Sequence, residues 1–294
     1  MSDTTATLNR KIGTAGDLQS VVRTMKAVAA SSISQYESAV RALDDYDRTV
    51  QLGLLACLRE MAPPLAPTPA RRGDAGPLTA VVFGSDQGLV GQFNEVMADF
   101  VVQTLDGLQA RKTVWSVGER VRSRLAETEL APAKDFVLPG SIGAISALVG
   151  QILTAIETLR EKGEIAQVVL FHNRPHAGAI YSPATQRLLP LDDVWRSERL
   201  AMNWPTRNLP EVMNDGAGTL LAFVREYLFV SIFRACAESL ASENASRLAA
   251  MQRAEKNIDE LLDDLNRSFH RLRQGSIDEE LFDVIAGFEA MSGA

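Results

Sequence analysis

The chain has 294 residues, of which 46% are hydrophobic and 23% are charged, and this is the composition of a globular protein with one large core or two ordinary ones. Its 37 acidic residues outnumber its 30 basic ones, which disfavours a general nucleic-acid binder because phosphate binding needs a basic surface. No apolar run approaches the roughly 18 residues of a membrane span, and no secretory signal opens the chain, so we expect a soluble intracellular protein. With only Cys57 and Cys236, neither a disulfide framework nor a cysteine-only zinc site is predicted.

A long helix is predicted from about residue 8 to about residue 61. No proline interrupts this stretch before Pro63 and Pro64, and at 1.5 Å per residue it would be roughly 80 Å long. Its apolar residues repeat every three or four positions, close to the period of a coiled coil. The predicted seam is Leu18, Val22, Met25, Ala29, Ile33, Tyr36, Val40 and Leu43.

A proline-rich stretch from 63 to 77 is predicted to be an extended linker, and short apolar runs alternate with helical patterns after it. Strands are predicted at 78–83, 113–117 and 167–171, with helices at about 94–110 and 142–162 between them. This alternation favours crossover connections and a mainly parallel sheet. Two further short runs, 179–181 and 187–189, are predicted to add an edge hairpin.

The last part of the chain repeats the pattern of the first. A helix is predicted from near Gly218 to about Gln274, and a second helical stretch, 277–291, follows Gly275 and Ser276. Two polar residues interrupt an otherwise apolar seam, as is common where a coiled coil fixes its register. The predicted seam is Leu240, Asn244, Leu248, Met251, Glu255, Ile258, Leu262, Leu265, Phe269 and Leu272.

Together these patterns predict an α/β fold. Its two long terminal helices form an antiparallel coiled coil, and a Rossmann-like α/β domain is inserted between them in sequence. The predicted boundaries are 1–62 for the first helix, 63–77 for the linker, 78–215 for the α/β domain and 216–294 for the last helix. Neither helical seam can bury its apolar residues alone, which is why we expect the two to pair.

The chemical motifs of the chain are weak. The turn GSDQGLVGQFN at 84–94 stands between a strand and a helix, where phosphate loops occur, but its glycine spacing matches no nucleotide fingerprint and favours a tight turn. Pro175 keeps His172 and His176 off a common helix face, which disfavours zinc. The dense carboxylates at 259–264 and 278–283 are interpreted as solvated helix faces rather than acid/base pairs. We therefore expect no catalytic, cofactor-binding or metal-binding residue.

Four segments carry a more specific signal. They are VRTMKAVAAS at 22–31, SDQGLVGQFN at 85–94, SLASENASRLAAM at 239–251, and RQGSIDEEL at 273–281 together with IAGFEA at 285–290. In this order and spacing they resemble the gamma subunit of rotary F-type ATP synthases. Differences at Val90, Gln92, Asp278 and Glu279 fit a divergent branch, such as the sodium-translocating N-type relatives.

The resemblance implies a non-catalytic rotor. It implies a coiled-coil shaft inside a ring of alternating alpha and beta subunits, and a foot against the epsilon subunit and the c-ring on the cytoplasmic face of the bacterial inner membrane. It further implies that Met25, Arg247, Arg273 and Gln274 couple the shaft to the beta subunits. The stretch 204–210 departs from the family pattern, which bears on the expected c-ring contact.

Two other functions fit the residues alone. One is a structural tether, in which a coiled coil carries an α/β head that binds a partner. The other is an α/β enzyme whose long helices serve only for dimerisation. Co-purification with alpha and beta subunits distinguishes the rotor from the tether, and nucleotide binding by the head would favour the enzyme.

Overall fold

The structure, a computed structural model, describes residues 4–60, 76–176, 179–208, 210–213 and 216–292. Two long helices dominate it, α1 (Thr5–Glu60) with 56 residues and α6 (Gly216–Ser292) with 77. The predicted linker falls at 63–77, and its residues 63–75 lie outside the described part of the chain.

By its internal contacts the chain divides into two compact units, one within residues 1–29 and 248–294 and the other within 30–247. Each unit contains a part of α1 and a part of α6. In the first unit, α1 contacts α6 at Arg23 and Glu255 and at Gln19 and Asp259. In the second unit, Arg234 Nη1 lies 2.7 Å from Asp44 Oδ1. The partner's number falls as the α1 number rises, so the predicted antiparallel helix pair is confirmed.

The seams differ from the prediction at their outer ends. Leu18 is 54% exposed and Leu272 is 41% exposed, while Leu8 and Ala15 are buried in the first unit. The α1 seam therefore passes one residue away from Leu18, because a one-residue step on a helix turns a side chain by about 100°.

The predicted break at Gly275 and Ser276 is wrong. Helix α6 continues through both residues to Ser292 without interruption. A helical glycine costs about 1 kcal/mol relative to alanine, and this weakens a helix without ending it.

In the described part of the chain, five strands form one sheet, and they lie between the two long helices in sequence. They are β1 (Leu78–Phe83), β2 (Lys112–Val117), β3 (Lys134–Phe136), β4 (Gln167–His176) and β5 (Ala179–Leu189). Their order across the sheet is β3-β2-β1-β4-β5. The pairs of β1 with β2, β1 with β4 and β2 with β3 are parallel, and β4 with β5 is antiparallel.

Helices cover both faces of this sheet. Every residue of β1 is buried, and its side chains alternate between the faces. Val81 and Phe83 belong to the cluster that includes residues of α4 (Ile142–Glu161) and α6, whereas Ala80 and Val82 belong to the cluster with α2 (Phe93–Asp106) and α3 (Glu119–Ala126). The predicted α/β class with a mainly parallel sheet is confirmed.

Several short elements differ from the prediction. The two runs expected to form an edge hairpin are parts of the single strand β5, which pairs with β4. Pro183 lies within β5, and an edge strand tolerates a proline because one of its sides has no partner strand. No sequence pattern predicted β3, α3 or α5 (Asp193–Leu200).

The expectation that no stretch is long and apolar enough for a membrane is wrong for α4. By length and composition its 20 residues meet that criterion, with a mean hydropathy of 1.6 over an 18-residue window. A third of that window is buried, and α4 packs six of its residues toward the sheet: Ile145, Leu148, Val149, Ile152, Ala155 and Ile156.

Gly118, directly before α3, gives a first testable prediction. Its φ is +110°, and a Cβ there would lie 2.9 Å from the carbonyl oxygen of Ser85. We expect Gly118→Ala to lower the free energy of unfolding by about 1–3 kcal/mol, because both the backbone conformation and a backbone contact oppose the added carbon.

The matched control is Gly107→Ala. A Cβ on Gly107 has nothing within 4 Å, and its φ of −74° suits any residue. Urea unfolding of both variants measures the difference. Equal midpoints for the two variants would contradict the prediction.

Candidate functional site

The turn between β1 and α2 stands at the point where the sheet changes direction. From β1 the chain proceeds to β2 and β3 on one side, and it then returns to place β4 on the other side. In open α/β sheets, ligands bind in the crevice at the carboxyl ends of the strands at this switch point. The geometry of residues 84–94 therefore decides what the crevice can hold.

Side chains of this turn accept hydrogen bonds from two backbone N–H groups, one at the start of the turn and one at the start of α3. The backbone N–H of Ser85 donates to Asn94 Oδ1 at 3.0 Å, and Asn94 Nδ2 donates to Ser85 Oγ at 2.9 Å. The backbone N–H of Glu119 donates to Asp86 Oδ1 at 2.9 Å. These bonds close the turn on itself, as expected for a tight strand-to-helix turn.

Helix α6 packs against the same carboxyl ends. Ser246 Oγ donates to the carbonyl of Val90 at 2.6 Å, and Ser242 Oγ donates to the carbonyl of Asn173 at 3.2 Å. Both serines are buried, and Ser242 is completely inaccessible. At these two points, the crevice that other α/β proteins open to a ligand is filled by a helix of the same chain.

Arg247, one of the predicted site residues, is held in a buried ion pair. Its Nη2 lies 2.5 Å from Glu243 Oε1, and the two side chains are 12% and 6% exposed. Burial raises the pKa of Glu243 above its ordinary value, and the positive charge of Arg247 opposes that rise. Arg247 Nη1 also donates to Asn244 Oδ1 at 3.2 Å, so only the small accessible part of this side chain is open to a partner.

Met25 lies half-buried on α1 in the first unit, between two cations that pair with α6. Arg23 Nε lies 3.0 Å from Glu255 Oε1, and Lys26 Nζ lies 2.5 Å from Glu255 Oε2. The bonds from Lys26 and then from Arg23 lower the pKa of Glu255. Glu255, a polar residue of the α6 seam, therefore forms ion pairs with α1, and these pairs fix the register of the two helices.

Glu255→Gln tests this role. A carboxyl whose pKa is lowered by folding stabilises the folded state above its ordinary pKa, and that stabilisation is lost as the pH falls through the lowered value. We expect the variant to melt at a lower temperature than the parent chain at pH 7, and the difference to vanish well below pH 4.

The control is Glu260→Gln, which removes only an exposed pair within α6, with Lys256 at 3.8 Å. We expect no pH-dependent difference for it. Melting curves recorded across this pH range decide the matter, and a Glu255→Gln effect that is the same at both ends of the range would count against the ion pair.

Arg273 and Gln274 lie side by side on an exposed part of α6 in the first unit. Arg273 lines a shallow cleft of about 460 Å³ with Asn9 of α1 and Glu280 of α6, and it makes no ion pair with a described residue. From 270 to 288 every residue of α6 is exposed. The apolar residues on this exposed stretch are Leu272, Ile277, Leu281, Phe282, Val284, Ile285 and Phe288, and such a patch is typical of a protein–protein contact.

A sequence profile described as ATP synthase matches residues 4–291. The chain belongs to the ATP synthase family. It is 25% identical over 286 residues to the ATP synthase gamma chain of Moorella thermoacetica, with 97% of this chain and 98% of that protein covered. It is 27% identical over 297 residues to the gamma chain of Syntrophus aciditrophicus, with 97% of each covered. The resemblance inferred from four sequence segments is confirmed.

Solved structures show the same fold. The rotor of the Euglena gracilis mitochondrial ATP synthase matches with a TM-score of 0.65 at 16% identity, over 93% of this chain and 98% of that one. The central stalk and c-ring structure of the Tetrahymena thermophila mitochondrial ATP synthase matches with a TM-score of 0.56 at 23% identity, over 80% and 99%.

In this member of the ATP synthase family, the four predicted site residues are divided between the two units. Arg273 and Gln274 are neighbours, and Met25 belongs to the same unit, whereas Arg247 belongs to the other unit. Glu243, the buried partner of Arg247, was not among the predicted site residues. The signal for Glu243 was present, because it stands four residues before Arg247, the spacing of an ion pair on one helix face.

Proposed function

We propose that this member of the ATP synthase family is the gamma subunit of the complex, the rotor that couples ion-driven turning of a c-ring to ATP synthesis or hydrolysis. The observation that carries the proposal is the antiparallel pairing of two helices of 56 and 77 residues around an α/β domain, in a chain of this family. Two helices that bury a common seam resist bending and twisting better than one, which is what a shaft needs.

The chain itself acts without a catalytic site. Nucleotide chemistry belongs to the catalytic beta subunits, and α6 fills part of the crevice where an α/β sheet would hold a nucleotide. The N–H groups of Ser85 and Glu119 are already bonded within the chain.

The contacts to the beta subunits run through Met25, Arg247, Arg273 and Gln274. Exposure supports Arg273 and Gln274 best, because both side chains are accessible on α6 and Arg273 is free of ion pairs with the described residues. Arg247 contributes through the edge that its bond with Glu243 leaves open.

The partners are the ring of alpha and beta subunits, the epsilon subunit and the c-ring. Through them the chain lies peripherally on the cytoplasmic face of the bacterial inner membrane. The domain boundaries at 62, 77 and 215 belong to the same proposal, with the α/β domain as the foot.

Reconstitution tests the function. We expect the chain to co-purify with alpha and beta subunits expressed from the same genome, and the purified chain alone to hydrolyse no ATP. A chain that binds other proteins but not the alpha and beta subunits would indicate a tether. Turnover by the chain alone that is lost in Asp86→Ala would indicate an enzyme.

A further inference from the structure

A row of three polar side chains on α6 faces the carboxyl ends of the sheet. Glu238, Ser242 and Ser246 stand four residues apart, and side chains at this spacing lie above one another on one helix face. Glu238 is 12% exposed at its side chain, and both serines are buried. The row spans about 12 Å of an otherwise mostly apolar packing surface.

Each member of the row bonds a different point of the α/β domain. His172 Nε2 lies 2.8 Å from Glu238 Oε2, and because a carboxylate only accepts, the imidazole is the donor. Ser242 donates to the carbonyl of Asn173, and Ser246 donates to the carbonyl of Val90. The row therefore connects α6 to the end of β4 and to the turn after β1.

The end of β4 pairs with β5 on one side and extends past the last residue that pairs with β1 on the other. Strand β1 ends at Phe83, and its pairing with β4 stops at Phe171. On the other side, Pro183 of β5 stands opposite Asn173 and has no N–H to donate. A buried carbonyl needs a donor, and Ser242 donates to the carbonyl of Asn173.

Hydrogen bonds are directional, so these three bonds resist rotation of α6 about its own axis. Turning a helix by about 20° about its own axis moves a side-chain atom about 5–6 Å from that axis by about 2 Å, which is enough to break a hydrogen bond. The apolar residues of α6 around the row range from Ala237 and Ala241 to Leu240, and their contacts are not directional, unlike the hydrogen bonds of the row.

We propose that Glu238, Ser242 and Ser246 are the joint that transmits torque between the α/β domain and α6. This inference rests on the rotor function proposed above and adds the residues through which the torque passes. They are positioning residues, because they fix the angle of the helix on the domain.

The test measures the stiffness of this joint in the assembled complex. The complex of alpha, beta and this chain carries a bead on the α/β domain through Glu129→Cys, an exposed position, while the native Cys57 and Cys236 are buried and do not compete for the label. The angular variance of the bead is recorded during the pauses of ATP-driven rotation. Ser242→Ala combined with Ser246→Ala removes two of three bonds, so we expect the joint's share of the variance to rise up to about threefold.

Ser239→Ala is the matched control. Ser239 lies on the same helix and is equally buried, but its hydroxyl has no hydrogen-bond partner in the described part of the chain. We expect it to behave as the parent chain. Loss of folding alone would reduce the number of complexes and leave the variance of each one unchanged.

A double variant with the variance of the parent chain overturns the joint and leaves the rotor function standing. If the double variant does not assemble, the single variants Ser246→Ala and Ser246→Thr replace it. A larger angular variance of the bead with alanine and the parent variance with threonine would support the joint. The parent variance in both single variants would overturn it. A parent complex that does not rotate removes the rotor function, and the joint with it.

Discussion

Arg247→Ala is expected to lower the free energy of unfolding by about 3–5 kcal/mol at neutral pH, because it leaves the carboxylate of Glu243 buried without its counter-charge. Glu243 is 4% exposed, and among the described residues Arg247 supplies its counter-charge, at 2.5 Å. Chemical unfolding of the purified chain, followed by circular dichroism, measures the effect.

The pH dependence of this loss follows from the direction of the pKa shift. Burial raises the pKa of Glu243 in the folded chain, so its contribution to stability is full below the ordinary glutamate pKa and is lost as the pH rises through the raised value. Without Arg247 the folded pKa rises further. We therefore expect the difference between Arg247→Ala and the parent chain to shrink as the pH is lowered toward about 4, where the carboxyl is protonated.

Two controls separate this mechanism from a general effect of truncating an arginine. Arg267→Ala removes an exposed pair with Asp264, whose side chains are 72% and 71% exposed, and we expect a loss of at most about 1 kcal/mol. Glu243→Leu combined with Arg247→Met removes both charges together, and we expect most of the stability to return. A large loss in that double variant would contradict the buried-charge account.

The second prediction concerns the exposed end of α6. We expect Arg273→Ala combined with Gln274→Ala to leave folding and assembly intact and to slow coupled ATP turnover roughly ten- to hundredfold. In the proposed contact, one or two charge-assisted bonds to a beta subunit would be lost, on the order of 1–3 kcal/mol. A loss of this size slows the step by the stated factor if that step limits the cycle. Arginine suits such a contact because its five donors are held in a fixed plane.

Arg271→Ala is the matched control, since Arg271 is exposed on the same helix two residues away. ATP turnover of correctly assembled complexes, normalised to the amount of this chain present, is the measurement. Parent-level turnover in the double variant would mean that Arg273 and Gln274 are only helix surface. An equal loss of ATP turnover in Arg271→Ala would mean that the overall charge of this stretch matters, rather than Arg273 and Gln274 themselves.

Local pattern was sufficient for the long elements. Both terminal helices follow from an apolar period of three to four residues without proline, and the strands predicted at 78–83, 113–117 and 167–171 follow from short apolar runs. The third strand continues to His176 through polar residues that no apolar pattern marks. Family membership also followed from short segments, because these segments are continuous in the chain and need no fold to be compared.

Short and polar elements depended on the tertiary structure. Helix α3 has eight residues, four of them charged, and it folds because Val121 and Leu125 pack under the sheet. Strand β3 has only three residues and is defined by its pairing with β2. Neither has a period long enough to stand out in the sequence.

The chemistry of individual side chains was decided almost entirely by long-range contacts. The sequence determined that Glu255 interrupts an apolar seam, but only the fold supplies Arg23 and Lys26, more than 200 positions earlier, as its partners. It likewise determined that Glu238, Ser242 and Ser246 share a helix face, whereas their partners come from the turn after β1 and the end of β4. Periodicity is a property of neighbours along the chain, while burial and bonding depend on which distant segments meet, and this is why the shaft could be predicted and its joint to the α/β domain could not.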